Sequence, residues 1–227
     1  MSEQNPGLHA SIRHITRPPR IARLPLSARG YPVPWFVAWI EGVPDFRVIR
    51  HGAVTEAIRR SRCWICGEER GRYQAFVVGP MCVVNRISSE PPSHRECAEY
   101  AARACPFLTR PHMARRETGL PSSIVQPAGI PIDRNPGVAV LYVTRGFVIA
   151  RAPRTGGPDG MLFRMQEPTE VLWYREGRTA TRAEAMHSMS TGVLELQRIA
   201  EQEGPEAMAE LAQSTLSAVK HLPQVQP

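Results

Sequence analysis

A chain of 227 residues, 42% of them hydrophobic, is long enough to bury a core of its own, and one or two domains are expected. Its apolar runs fall far short of a membrane span and no signal-peptide core follows the start, so a soluble protein of a reducing, cytoplasmic compartment with no membrane partner is expected. The formal charge of +7 is uneven, with +8 on residues 1–120 and −1 on residues 121–227, and an excess confined to one half points to an acidic partner there.

In chain order, residues 1–34 read as a basic arm in which Arg13, His14, Arg17, Arg20, Arg23 and Arg29 stand among prolines. Such an arm either follows a phosphate backbone or is a solvated tail. Residues 35–40 read as a strand, Gly42-Val43-Pro44 as a turn and residues 46–49 as the partner strand. Residues 53–62 suit a short helix with Val54, Ala57 and Ile58 on its inner face. Arg59, Arg60 and Arg62 close it, and Arg70 and Arg72 follow shortly after. These five are candidate nucleic-acid contacts; for the three at the helix end, compensation of the helix dipole is the competing role.

The segment from Cys63 to Cys105 carries the strongest signal. Cys63 and Cys66 form a C-x-x-C pair followed by Gly67, and His94 and Cys97 repeat the gap as H-x-x-C. Two close pairs of thiol and imidazole donors are what a tetrahedral zinc ion requires. Ser93 and Glu96 read as a capping box opening a helix with His94 in its first position, and residues 75–78 and 81–84 read as a hairpin across Gly79-Pro80. Cys105 lies eight residues past Cys97, about 12 Å along a helix, and is assigned to the core. Cys82 faces either the core or the metal, and the core is favoured because four better-spaced ligands already fill the site.

Knuckle, hairpin and ligand-bearing helix in this order resemble the treble-clef zinc finger, with CWICG as the knuckle and SHRECAEYA as the helix start. Trp64 stands where that pattern usually has proline, and a histidine enters the second pair. The whole chain is also similar to an uncharacterised group of bacterial and phage proteins sharing an SEPPSHRECAEYA and ACPFL block, a resemblance that implies no activity.

Residues 106–137 read as a proline-rich connection, and residues 138–227 as antiparallel strands followed by helices. Strands are expected over 137–144, 147–150, 161–165 and 171–174. Thr181 and Glu184 form a capping box for a short helix through Met189; residues 193–203 continue helical, and Gly204-Pro205 opens a last helix. Its stripe of Met208, Leu211, Ala212, Leu216 and Val219 faces the parent domain or a second copy. The expected fold is α+β: residues 35–105 hold strands, a short helix and a small zinc-stabilised treble-clef-like module, with antiparallel hairpins or sheet and C-terminal helices.

Lys220 is the only lysine, which excludes a phosphate-binding G-x-x-x-x-G-K-[ST] loop and leaves no candidate for lysine-dependent nuclease cores or Schiff-base chemistry. No G-x-S-x-G, H-E-x-x-H or G-x-G-x-x-G motif occurs. A divergent treble-clef nuclease would need a base, yet the expected hairpin holds Asn85 and no histidine, leaving His51 or His112 without positional support. Four protein ligands close a zinc site, as structural sites are closed. The reading is therefore a non-catalytic, zinc-binding, arginine-rich protein that contacts DNA or RNA or acts as an accessory factor. The alternative is a protein-protein adaptor.

Overall fold

The computed structural model describes residues 7–110, 137–151 and 160–224. Most of the connection expected over 106–137, with His112, and most of the glycine- and proline-rich loop after Arg151 lie outside these residues. A 3-10 turn Ala10–Ile12 and the short helix α1 (Pro19–Ala22) lead into the antiparallel pair β1 (Val37–Ile40) and β2 (Val43–Ile49). Then come α2 (Ala53–Arg59), β3 (Gln74–Val78), α3 (Pro80–Asn85), β4 (Ile87–Ser88), α4 (Arg95–Ala104) and α5 (Pro106–Thr109). The second half holds β5 (Ala139–Thr144), β6 (Phe147–Arg151), β7 (Met161–Met165), β8 (Pro168–Arg175), β9 (Arg178–Thr179), α6 (Arg182–Glu203) and α7 (Pro205–Val219). The class is α+β with antiparallel sheets and C-terminal helices, as the sequence indicated.

Two sheets form the centre, one in the order β3-β5-β8-β9 and the other β4-β7-β6. β5 is buried along its whole length because it pairs with β3 on one edge and β8 on the other while both of its faces are covered. Ala139, Leu141 and Val143 pack with Ala75, Tyr174 and the α4 alanines Ala98 and Ala102. Val140 and Tyr142 point the opposite way, into a cluster with Phe76, Trp173, Phe163, Met81 and Met189. Alternation along a two-sided strand thus divides the core into a layer under α4 and a layer under the second sheet and the other helices. The polar tips of its large aromatics are satisfied: Tyr142 donates to the Gln166 carbonyl at 2.7 Å, and Trp173 Nε1 donates to the His221 carbonyl at 2.7 Å.

Several local expectations change. Residues 81–84 form part of α3, and β3 pairs with distant β5 instead of closing a hairpin. Pro80 sits at the start of α3, where its fixed φ and missing N–H suit a helix, and its neighbours Met81, Val83 and Val84 are buried in the core. Ser93 and Glu96 do not form a capping box: His94 is the N-cap, with no side-chain capping bond, and α4 begins at Arg95. Ser93 instead bridges Ala75 through backbone bonds of 2.7 and 3.0 Å, and Glu96 is taken by Arg20. The capping box at Thr181 and Glu184 is present, but the helix it opens runs unbroken for 22 residues. Gly192 keeps that helix close to α3, since a Cβ there would meet the Met81 side chain at 2.9 Å. In α7 the inward stripe is Leu211, Ala218 and Val219; Ala212 is exposed and Leu216 is 70% exposed, so the expected face is rotated.

Residues 8–33 pack onto the cysteine-bearing segment. Leu8, Ile12, Ile15 and Ile21 are buried in one cluster with Cys63, Ile65, Cys97, Tyr100 and Ala104. α4 in turn is clamped to the sheet by Arg95, whose Nε and Nη2 each donate to Glu170 at 2.8 Å and whose Nη1 donates to Glu99 at 2.6 Å. A forked guanidinium of this kind fixes orientation as well as charge, and its hydrogen bonds hold the Glu170 carboxyl below the usual range.

Candidate metal centre

Cys63 and Cys66 sit on a turn closed by backbone bonds from Gly67 to Cys63 at 2.9 Å and from Cys63 to Glu68 at 2.7 Å. Gly67 has φ +75°, and a Cβ there would lie 2.5 Å from the Trp35 ring, so both the turn and its packing require glycine. The Trp35 N–H also donates to the Ile65 carbonyl at 2.7 Å, and Arg62 Nη1 donates to the Gly67 carbonyl at 2.7 Å. The second pair comes from the N-terminal end of α4, with His94 at the N-cap and Cys97 within the first turn. Arg20 spans the two pairs, donating from Nε to Glu68 at 3.1 Å and from Nη1 to Glu96 at 2.7 Å.

The ligand atoms of Cys63, Cys66, His94 and Cys97 all lie within 4.8 Å of one another. His94 Nδ1 is 3.4 Å from Cys66 Sγ and 3.9 Å from Cys97 Sγ. Tetrahedral zinc with metal–ligand bonds of about 2.0–2.3 Å separates its donors by about 3.6–3.8 Å, so the group has the right size. The histidine orientation agrees, since Nε2 lies 2.9 Å from the Glu69 carbonyl and must donate to it, leaving Nδ1 on the side of the thiols as the atom that would bind a metal once its proton is displaced. Cys63 Sγ also accepts the backbone N–H groups of Cys66 and His94, both at 3.4 Å, which favours thiolate. Against its burial, hydrogen bonds from Cys66, Cys97 and His94 draw the Cys63 pKa down. Bonds to Cys63 and Cys66, and then burial, push Cys97 up. Hydrogen bonds to the same two cysteines raise His94 to about 10. Without metal the group shares protons tightly, and a bound cation displaces them.

Cys82 and Cys105 stand apart from this group. Cys82 packs against the central core and burial pushes its thiol up to about 11, while Cys105 lies at the α4–α5 junction with its thiol also raised by burial. Asn85 accepts the Ile87 N–H at 3.0 Å and so forms a turn, and His51 is exposed in the turn before α2.

The five candidate arginines divide. Arg62 is partly buried, paired to Glu56 at 3.1 Å and bonded to Gly67, and Arg70 is turned inward, with Nη1 donating to the Arg62 and Pro92 carbonyls at 3.0 Å each. Burial draws the Arg70 pKa down and the charge of Cys63 opposes it. Arg59, Arg60 and Arg72 are exposed. A bridge between Arg62 and Glu69 and the Arg70 N–H to Ser61 carbonyl bond at 2.7 Å lay residues 61–62 beside 69–70, so the segment carrying Arg59 and Arg60 adjoins the one carrying Arg72 and Tyr73, the latter 46% exposed. Glu69 is the exposed carboxylate on the same ladder. Arg23 also pairs with Glu68, and Arg13 donates to the Leu8 carbonyl at 2.8 Å, so several N-terminal arginines serve the fold. Sequence reasoning missed Arg20, Trp35, Tyr73 and the Glu69 carbonyl; of these only Tyr73, next to Arg72, carried a local signal.

Comparison with protein-family models, curated proteins and solved structures returned no match. Among the described residues no helix is long and apolar enough to cross a membrane.

Proposed function

We propose that the chain is a zinc-stabilised, non-catalytic protein that binds DNA or RNA through its phosphates, using Arg59, Arg60 and Arg72 with Tyr73 as a neighbouring stacking surface. Zinc is the cation chosen because three thiolates and one imidazole form a closed borderline-soft set, and a reducing compartment keeps those thiols available. The observation that supports the nucleic-acid reading is that two adjoining segments carry three exposed arginines and a half-exposed tyrosine, while many neighbouring arginines are paired to carboxylates or carbonyls. Phosphate contacts release counterions, so log affinity should fall with log salt by about 0.7–0.9 per contact, or about 2–3 for the three arginines. Fluorescence anisotropy with labelled DNA and RNA tests this. Substituting all three by alanine should flatten the slope by that amount across sequences while zinc content holds. An unchanged slope, or no binding at low salt, would overturn the reading.

The adaptor reading has its own support. Trp39, Ile40, Val43 and Phe46 are 37–66% exposed on the β1–β2 ribbon, an apolar surface of the kind proteins bury against partners.

A further inference from the structure

Arg70 is the least expected of the charged groups around the metal ligands. Its Nη1 is fixed by two backbone carbonyls, its Nε is buried with no hydrogen-bond partner, and its guanidinium lies 5.9 Å from the centre of the Phe147 ring. Among the described residues no carboxylate forms an ion pair with it, in contrast to Arg20, Arg62 and Arg95. A partly buried cation whose Nε is shut off from solvent with no anion beside it is unfavourable, and carbonyl dipoles alone supply no opposite charge. The nearby anion is the centre itself. Zinc held by three thiolates and a neutral imidazole carries one net negative charge, and that set is what the His94 tautomer and the N–H bonds to Cys63 favour.

We propose that Arg70 is the built-in counter-ion of the metal centre, selecting a singly negative Cys3His–zinc site over a neutral one. The proposal rests on the zinc reading above. It also assigns Arg70 a different role from its exposed neighbours: a positioning residue that acts on the metal through charge and leaves phosphate to Arg59, Arg60 and Arg72. Phe147 belongs to the second sheet, so its ring over the guanidinium joins that sheet to the metal module through the same side chain.

The test measures zinc affinity of the full chain by competition with a chelator. Arg70→Gln should weaken binding about 10- to 100-fold, the range for losing an outer partner of a metal site, and Arg70→Lys should recover most of the loss because the charge returns. A purely structural role is separated by a Cys66→His background, whose two thiolates and two imidazoles make a neutral zinc centre. There Arg70→Gln should leave affinity unchanged. If Arg70→Gln fails to fold, the double variant with Cys66→His should fold. No loss in Arg70→Gln, equal losses in the glutamine and lysine variants, an undiminished loss in the Cys66→His background, or a double variant that stays unfolded would each overturn the proposal. Wild-type protein that takes up no zinc would overturn the zinc reading instead.

Discussion

Replacing Cys97 by serine should separate a metal centre that holds the fold from a set of buried thiols. Cys97 is fully buried in the first turn of α4, packed with Ile12, Ile21 and Tyr100, and its Sγ lies 3.9 Å from His94 Nδ1. A serine hydroxyl keeps the volume nearly the same but does not ionise at neutral pH, so the substitution removes one of four donors without opening a cavity. Structural zinc sites contribute an apparent binding free energy of about 10–16 kcal/mol, whereas whole domains are stable by about 5–15 kcal/mol. Losing even a fraction of the first quantity is enough to release the module. Elemental analysis should fall from about one metal ion per chain to near zero, and the amides of Cys66 and His94, which donate to Cys63 Sγ, should lose hydrogen-exchange protection together with residues 8–21. Cys105→Ser should keep both metal and protection, because that thiol is outside the ligand group. A Cys97→Ser protein that retains one ion and its protected amides, or a Cys105→Ser protein that loses them, would refute the argument.

Two further perturbations act elsewhere. Gly67→Ala should destabilise the metal module by more than about 2 kcal/mol in denaturant titration, since it adds a 2.5 Å approach to Trp35 to the strain of φ +75°. Gly42→Ala has φ +77° but open space around it, so it should show only the backbone part, about 1–2 kcal/mol. At the start of α6, hydrogen bonds from Arg178, then the Thr181 cap, hold Glu184 at about 2 against an ordinary 4.5. A depressed folded-state pKa means the stabilisation is complete above the unfolded value and disappears as pH falls from about 4.5 to about 2. Glu184→Gln should therefore flatten that part of the acid limb in a stability-versus-pH series, and a limb of unchanged steepness would contradict the assignment.

The ligand group was legible because its donors come in two pairs whose short spacing is local. The β1–β2 hairpin and the Thr181–Glu184 cap were legible for the same reason, each being a rule over two to four residues, although the turn is Glu41-Gly42 and Val43 and Pro44, expected within it, already pair with Ile40 and Trp39. Residues 81–84 were not: four apolar residues suit a strand or a buried helix equally, and Pro80 at a helix start decided what periodicity alone leaves open. Nor did sequence show that β3 would cross to β5 more than sixty residues on, or that β6, only two residues past β5, would enter the other sheet. Such pairings depend on which faces the whole molecule can cover. Residues 8–21 were obscured by their arginines and prolines, which suggested solvent, although Leu8, Ile12, Ile15 and Ile21 were present to be buried. At Arg70 the charge was legible, but its inward direction was not.

The packing of residues 8–21 over Cys63 and Cys97 bears on how accessible the four-donor group is. Both cysteines have no solvent exposure and cluster with Leu8, Ile12, Ile15 and Ile21, whereas Cys66 is partly exposed, so the segment covers one side of the group and leaves another open. Arg20, bonded to Glu68 beside one pair and Glu96 beside the other, ties that segment down. Local opening of the N-terminal segment should therefore govern how readily Cys63 and Cys97 are reached, through hydrophobic contacts more than forty residues upstream of the first of them.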